Sequence, residues 1–213
     1  MELRAGYKQT EVGVIPEDWN ALPVGGEIDL LTGFPFPSSG YTASGVRLLR
    51  GSNVKRGVTD WSPDITQYWP TVTNDISSYQ LREGDLVIAM DGSLVGRSSA
   101  QLERADLPAL LLQRVARIRS TKRLEVSYLA AFVKSDWFVK HADSVKTVTA
   151  IPHISPADIR SFTIPIPSSI HEQRAIATAL SDADALLTQL DRLIAKKRDI
   201  KQAAMQQLLT GKT

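Results

Sequence analysis

Residues 169–209 read SIHEQRAIATALSDADALLTQLDRLIAKKRDIKQAAMQQLL, and this stretch decides the architecture of the chain. It contains neither glycine nor proline, the residues that most strongly disfavour a helix interior. Apolar residues recur in it every seven positions: Leu180, Leu187 and Ile194 form one set, and Leu186, Leu193 and Ile200 form another. This spacing predicts a single helix of roughly 38 residues, which at the helical rise is about 57 Å long.

Both ends of the predicted helix carry recognisable signals. Ser169 and Glu172 have the spacing of a capping box, in which each side chain binds the free backbone N–H of the other residue. Gly211 follows the last apolar residues and is typical of the position that ends a helix. The sequence therefore predicts a helix that begins near residue 169 and ends close to residue 209.

The apolar stripe of this helix is wide enough to need a partner helix along most of its length. No second long helix is predicted in the chain, so we expect pairing with another molecule. The alternative is a tail helix folded back on its own body. The residues expected at the intermolecular contact are Leu180, Ala183, Leu187, Leu190, Ile194, Ile200, Ala204 and Leu208.

The sequence before the tail predicts a strand-rich body. Between Leu22 and Ser120, glycine and proline interrupt short apolar runs at frequent intervals. Residues 84–92 predict a turn, a buried strand and a second turn. Residues 112–119 alternate apolar and polar side chains, as in a strand with one solvent-facing side.

The last third of the body changes period. Residues 125–141 place apolar side chains three and four positions apart, which predicts a helix. Residues 162–167 predict a strand that closes the body. The fold class expected is therefore α+β: a mixed, mainly antiparallel β domain over residues 1–168, followed by a long coiled-coil-forming helix over residues 169–213.

Composition excludes several classes of protein. The 213 residues are 43% hydrophobic and 23% charged, as in an ordinary globular protein, and no apolar run is long enough to cross a bilayer. The amino terminus shows no secretory signal. Cysteine is absent, which excludes disulfides and thiolate metal sites. We expect a cytoplasmic protein with no membrane association.

Positive charge is clustered although the net charge is only +2. Residues 97–123 hold seven basic residues against two acidic ones, and residues 47–56 hold four basic residues and no acid. Clusters of this kind can neutralise phosphates and release counterions. The alternative is that these are ordinary surface charges on strands and loops.

No enzymatic constellation is visible in the sequence. The glycines at 84–96 have neither the Rossmann nor the P-loop spacing. His141, His153 and His171 are dispersed and lack metal-ligand spacing. Glu83 and Asp85 flank Gly84, where they are expected to shape a turn. We expect no catalytic residue, no metal and no cofactor.

Several motifs in this order resemble the specificity subunits of type I restriction-modification systems. The helical region of that family is similar to IPIP at 164–167, EQRAIA at 172–177 and KQAAMQQLLTG at 201–211. The opening of its target-recognition domains is similar to YKQTEVGVIPEDW at 7–19. A further signature inside those domains is similar to GDLVI at 84–88, followed by Gly92 and by Gly96 and Arg97.

The resemblance implies a non-catalytic role in sequence-specific recognition of double-stranded DNA. A full specificity subunit carries two recognition domains and two antiparallel helices, and it binds methyltransferase and restriction subunits. This chain departs from that pattern because it holds one recognition domain and one helix, and so it resembles a half-subunit. We expect two copies to pair through their tail helices in an antiparallel, isologous C2 contact and to read a bipartite site.

The residues expected to contact DNA lie in three stretches that are rich in groups able to bind bases or phosphates. They are Arg47, Arg50, Ser52, Asn53, Lys55 and Arg56 in the first, Asp91, Ser93, Arg97 and Ser98 in the second, with Gln113 and Arg114 beside it, and Lys146, Thr147, Thr149 and His153 in the third. Each has a structural alternative: Asp91, for example, is also a residue that caps turns. Trp61 and Trp69 are expected to be core or half-core residues rather than base-stacking ones.

Two other functions stay open at this level. One is a recognition-domain fragment of a single-chain restriction-modification enzyme. The other is an interaction module that dimerises through a coiled coil and does not bind DNA. Binding of random duplex DNA at low salt, lost at high salt, separates a DNA reader from the interaction module.

Overall fold

The computed structural model describes residues 3–211 and divides them into two compact units, one up to residue 174 and one from residue 175 onward. The first unit is a body of short strands and three short helices. Its strands are β1 (Tyr7–Thr10), β2 (Gly13–Pro16), β3 (Asn20–Pro23), β4 (Asp29–Thr32), β5 (Val46–Leu49), β6 (Gln67–Trp69), β7 (Leu86–Ala89), β8 (Ser99–Gln101), β9 (Ala109–Leu111), β10 (Val115–Arg119) and β11 (Thr163–Ile166). Its helices are α1 (Val126–Lys134), α2 (Asp136–Val145) and α3 (Pro156–Arg160).

A four-stranded antiparallel sheet in the order β4-β10-β7-β8 is the centre of the body. Its strand β7 is the apolar run predicted between two glycine turns, and all four of its residues are buried. Asp85, in the turn before β7, accepts a hydrogen bond from the Arg82 backbone at 2.8 Å and pairs with Arg119 at 2.6 Å. The prediction that Asp85 shapes this turn is therefore confirmed.

A three-stranded sheet in the order β6-β5-β9 adjoins it. Strand β5 pairs antiparallel with β6 and parallel with β9, so the sheet is mixed. Trp61 and Trp69 pack, partly buried, against the two apolar clusters that these sheets enclose, as expected. The hairpin β1-β2 and the pair β3-β11 complete the strands, and together they confirm the α+β, mainly antiparallel architecture.

The alternating pattern at 112–119 does not give a strand with one wet side. The strand proper is shorter, Val115–Arg119, and Arg117 on its polar side is only 4% exposed. Its guanidinium Nη1 pairs with Asp29 Oδ2 at 2.8 Å, because a buried cation needs a partner. The prediction of a solvent-facing side was wrong, because the residues of β10 from Val115 to Ile118 are all buried, whichever face of the sheet they occupy.

The helical period at 125–141 corresponds to two helices rather than one. Ser135 interrupts it, since its hydroxyl accepts a hydrogen bond from the Trp137 N–H at 3.2 Å and so starts α2. A serine that binds the backbone of the next turn is the usual signal for a helix N-terminus. The apolar spacing of residues 125–141 predicted one continuous helix, and that prediction was wrong.

The tail forms a single helix α4, Ile170–Thr210, as predicted. At the start, the Glu172 N–H donates to the Ser169 hydroxyl at 3.5 Å, while in the part of the chain that the structure describes no bond returns from the Glu172 side chain. Only half of the expected capping box is therefore present. At the far end Gly211 has φ +62°, the left-handed conformation that stops helices.

The first turn of α4 includes a buried amide that belongs to the compact body. The Gln173 side chain is fully buried, accepts the Glu125 N–H at 2.9 Å, and donates to the carbonyls of Arg123 and Pro167 at 3.0 and 2.9 Å. These three bonds join the segment before α1, the end of β11 and the first turn of α4.

From residue 178 to residue 211 every residue of the second unit is exposed. Ten large apolar side chains along α4 are each between 46% and 83% exposed, and six of them are the residues that recur every seven positions in the sequence. They are Leu180, Leu186, Leu187, Leu190, Leu193, Ile194, Ile200, Met205, Leu208 and Leu209. We call these ten residues the α4 seam.

Within residues 3–211, no helix combines the length and apolarity that a bilayer span requires.

Candidate nucleic-acid interface

Strand pairing brings the first two predicted stretches and the Gln113–Arg114 turn to the same edge of the body. Strands β7 and β10 are antiparallel neighbours with Ala89 opposite Val115, so the loop after β7 lies beside the turn before β10. Strands β5 and β9 are parallel with Leu49 opposite Leu111, so the turn after β5 reaches the same turn. Residues separated by more than sixty positions are thereby adjacent.

These segments line a cleft of about 400 Å³, which we call the reading cleft. Eight of the sixteen residues predicted to contact DNA line it: Arg50, Ser52, Lys55, Asp91, Ser93, Ser98, Gln113 and Arg114. Three of them are basic and one is acidic, so the cleft carries an excess of positive charge. Polar groups of this kind at one edge can contact both bases and phosphates.

The loop that holds His153 is attached beside the cleft. His153 forms an antiparallel bridge with Asp91, and the Gly92 N–H donates to the Pro152 carbonyl at 3.0 Å. The Thr147 N–H donates to the His153 carbonyl at 2.9 Å, which closes the loop on itself. Thr147 and Thr149 are exposed on this loop, so the third predicted stretch adjoins the first two.

Arg97 and Lys146 share one acidic partner, Asp143. Arg97 Nη2 lies 3.4 Å and Lys146 Nζ lies 2.6 Å from the two carboxylate oxygens of Asp143. The hydrogen bond from Lys146, the charge of Lys146 and the charge of Arg97 hold the pKa of Asp143 below its ordinary range. Two cations against one carboxylate leave a surplus positive charge, which is suited to a phosphate.

Two of the predicted residues have other partners in the structure. Arg47 Nη2 donates to the carbonyls of Ala105 and Leu107 at 2.8 and 2.9 Å, and its guanidinium stacks on Trp61. Asn53 is fully buried and bonds the Arg50 N–H and the Asp60 carbonyl, so it shapes the turn after β5. These contacts direct both side chains into the protein.

The remaining predicted residues differ in how far they are available to a ligand. Ser52, Arg56 and Ser93 are exposed, whereas Ser98 is buried beneath the cleft. Arg50 Nη1 makes a long hydrogen bond of 3.4 Å to the Ile65 carbonyl, and Lys55 lies 3.7 Å from Asp60. Ser62 is the main cause of a lowered pKa at Asp60, and Lys55 adds to it.

The turn before β10 places Gln113 and Arg114 together on the surface, against the expectation that alternation would expose only one of them. Arg114 has φ +66°, and it is the one non-glycine residue with a left-handed backbone within residues 3–211. Its Nη1 lies 2.8 Å from Asp91 Oδ2, so the acid and the arginine of two separate stretches form one pair. Nothing in the local sequence pattern indicated this pair.

Sequence reasoning also missed two contributors to this surface. A Cβ built on Gly51 would lie 3.6 Å from Asp91 Oδ1, so the turn after β5 passes near the Asp91 carboxylate. Asp143 organises Arg97 and Lys146 from helix α2. Neither residue belongs to a recognisable motif, because their roles depend on contacts between distant segments.

The side chains that line the cleft are of kinds that bind nucleic acid. Over residues 3–211 the structure shows no cluster of three or more histidine or acidic residues that could hold a metal ion. The cleft offers arginine, lysine, glutamine and hydroxyl groups. These groups form hydrogen bonds with base edges and phosphates.

Comparison with known proteins gives a consistent result. The chain is 32% identical over 197 residues to the EcoAI type I restriction enzyme specificity subunit of Escherichia coli, covering 91% of this chain and 32% of that protein. It is 29% identical to the MjaVIII specificity subunit of Methanocaldococcus jannaschii, covering 97% and 49% of the two chains. This chain thus spans about a third of the first relative and about half of the second.

A solved structure shares the fold. The HsdS subunit of Thermoanaerobacter tengcongensis aligns with a TM-score of 0.62 at 20% identity, covering 88% of this chain and 42% of that one. The family model for the type I restriction modification DNA specificity domain matches residues 33–201. Since that match takes in most of the strands of the body and most of α4, this chain belongs to the type I restriction modification DNA specificity domain family.

Proposed function

We propose that this chain recognises one half of a bipartite sequence in double-stranded DNA through the reading cleft. The observation that carries the proposal is the convergence, on one edge of the body, of polar residues from three segments far apart in sequence: 50–55, 91–98 and 113–114. Base-reading side chains need loops held rigidly by a scaffold, and here each loop is attached to a buried strand.

Phosphate contacts in this proposal come from cations around the cleft. Arg56 is exposed on the turn after β5, and Arg97 and Lys146 present surplus charge beside Asp143. Such contacts fix the register of a protein on the duplex, while contacts inside the cleft select the sequence. Arg47 and Asn53 support the loops and are not included among the DNA-contacting residues.

The relatives are named specificity subunits of type I restriction enzymes, and we infer the same place for this chain. It supplies recognition and no catalysis, and it positions methyltransferase and restriction subunits that carry out modification and cleavage. The matches cover half or less of each relative. We therefore infer that one copy reads one half-site, with residues up to about 168 as the recognition domain.

We further infer that two copies join through the α4 seam. Ten exposed apolar side chains along one helix are unfavourable in water, and burial against a second helix removes them from it. The eight predicted contact residues, from Leu180 to Leu208, all lie exposed on this helix. An isologous C2 dimer would place two reading clefts on one bipartite site.

The charges of α4 support an antiparallel arrangement. Between residues 175 and 191 the helix carries three acids and no base: Asp182, Asp184 and Asp191. Between residues 192 and 211 it carries five bases against Asp199: Arg192, Lys196, Lys197, Arg198 and Lys201. Antiparallel pairing sets the acidic half of one copy against the basic half of the other, whereas parallel pairing opposes like charges.

Selection from randomised duplexes tests recognition directly. The full chain is incubated with a random pool, and the bound DNA is sequenced after several rounds. We expect two symmetric half-sites separated by a fixed spacer.

Arg50→Ala and Arg97→Ala should weaken binding. If Arg97 contacts a phosphate, its loss lowers the salt slope by about one unit without changing the selected sequence.

The same experiment distinguishes a DNA-recognition protein from an interaction module that does not bind DNA. An interaction module that does not bind DNA returns an unenriched pool at every salt concentration. A partner test follows it: mixing with the methyltransferase subunit of the same system should give a complex that methylates the selected sequence, and a chain that enriches no sequence and forms no such complex contradicts the proposal.

A further inference from the structure

We propose that Arg114 reads a guanine base and that Asp91 is a positioning residue that holds its guanidinium. This inference rests on the proposed function, because it assigns one base and one reader to the reading cleft. Asp91 was expected from the sequence to contact DNA itself. The geometry points to a different role for it.

Arg114 is presented to solvent by an unusual backbone. Its φ of +66° lies in a region that arginine seldom adopts, and its carbonyl accepts the Met90 N–H at 2.9 Å. Non-glycine residues in strained conformations concentrate at functional sites. The side chain is 63% exposed, so the turn before β10 directs a long cationic group outward from a rigid sheet.

Asp91 fixes one side of that group. Its side chain is only 19% exposed, and a Cβ built on Gly51 would lie 3.6 Å from its Oδ1. Arg114 Nη1 donates to Asp91 Oδ2 at 2.8 Å. Within the described residues, Nε and Nη2 of Arg114 make no hydrogen bond. Two adjacent donors, coplanar and oriented by Asp91, therefore remain available to a ligand.

The chemistry of these donors selects the ligand. Guanine presents two adjacent acceptors, O6 and N7, in the major groove, and a bidentate arginine matches them. A phosphate is disfavoured at this position because Asp91, 2.8 Å from the guanidinium, balances the charge of Arg114 one to one. Arg97 and Lys146, by contrast, share a single carboxylate and keep a surplus positive charge. Arg56, which is exposed and has no acid paired with it within residues 3–211, is one of the cations of the same surface that suit a phosphate.

The test compares the sequences selected from random duplexes by the full chain and by three variants. Arg114→Asn removes the guanidinium while keeping a residue that tolerates a left-handed backbone. Asp91→Asn removes the positioning charge at nearly constant size. Arg174→Asn is the matched control, because Arg174 pairs with Glu125 at 2.9 Å, is 60% exposed, and lies outside the cleft.

We expect Arg114→Asn to lose the preference at one guanine position and to retain the others. Discrimination at that position should fall by roughly 5- to 150-fold, the usual contribution of one bidentate pair. Asp91→Asn should relax the same position to a smaller extent. The double variant should be no more relaxed there than Arg114→Asn alone, because Asp91 acts through Arg114. The control should select the unaltered sequence.

A second readout uses the wild-type protein. Replacing the assigned guanine with 7-deazaguanine removes only the N7 acceptor, and the affinity should fall for wild type but not for Arg114→Asn. Unchanged selection by Arg114→Asn, or relaxation at a position other than guanine, overturns this inference while leaving DNA recognition intact. A wild-type chain that enriches no sequence contradicts the proposed function itself.

Discussion

Arg114 combines an exposed functional group with an unfavourable backbone, and its stability cost can be measured apart from DNA binding. A left-handed conformation costs an L-residue roughly 1–2 kcal/mol, is most unfavourable for β-branched residues, and costs glycine almost nothing. We expect Arg114→Gly to exceed Arg114→Val in free energy of unfolding by more than about 1 kcal/mol. Denaturant titration of the purified variants measures the difference.

Gln113 provides the comparison for that experiment. It is exposed in the same turn, but its φ is not positive. At position 113 the glycine variant should not be more stable than the valine variant, because glycine adds entropy to the unfolded chain. If glycine and valine rank in the same order at both positions, the backbone of Arg114 is not strained as described.

Gln173 is a second residue whose role is measurable by itself. Its buried side chain satisfies one backbone N–H and two carbonyls of the body. Gln173→Met keeps a similar size but leaves these groups without partners, which costs about 1–3 kcal/mol for each group left buried. We expect a clear fall in the unfolding midpoint in denaturant.

Gln206→Met is the matched control for that substitution. Gln206 is exposed on α4, so its replacement should change stability by less than about 0.5 kcal/mol. An equal loss in both variants would mean that the Gln173 bonds contribute nothing specific.

At the scale of the element, α4 is a helix whose apolar seam requires burial. Leu187→Asp places a charge in the middle of the α4 seam, and desolvating that charge in a dimer is unfavourable. We expect Leu187→Asp to sediment as a monomer at micromolar concentration where wild type sediments as a dimer. Helix content by circular dichroism should fall with the dimer, since an unpaired amphipathic helix depends on packing.

Thr188→Asp introduces the same charge one residue later, on the side of α4 away from the seam, and should remain dimeric. Equal dissociation of both variants would indicate a general effect of acidic residues on the helix. Wild type sedimenting as a monomer would remove the dimer from the proposal, although it would leave recognition of a half-site untouched.

At the scale of the whole molecule, pairing two clefts should raise affinity for a bipartite site through effective concentration. We expect wild type to bind two correctly spaced half-sites about 100-fold or more tightly than one half-site. Leu187→Asp should bind both DNAs with the half-site affinity and should select the same bases. Titration of the two duplexes at constant salt measures both constants, because phosphate contacts make affinity strongly salt-dependent. An unchanged ratio in Leu187→Asp would contradict a dimer that engages both halves together.

Features that depend on residues close together in the chain could be predicted from the sequence, and features that depend on distant contacts could not. The helix α4, the buried strand β7 and the half-core positions of Trp61 and Trp69 follow from local patterns and are found as expected. The break at Ser135 and the burial of Arg117 were not foreseen. Each depends on neighbours that periodicity does not identify: a cap that competes with a continuous helix, and an acid on the adjacent strand.

The sequence by itself determined a long amphipathic helix after a strand-rich body, because helix period, glycine and proline act within a few residues of one another. Only the tertiary structure decided which polar residues share one surface. Strand order and register place Arg50, Asp91 and Arg114 around one cleft, and they direct Arg47 and Asn53 inward. Contacts between segments far apart in sequence depend on how the sheets pair, and such pairing leaves no mark in the local pattern of any one segment.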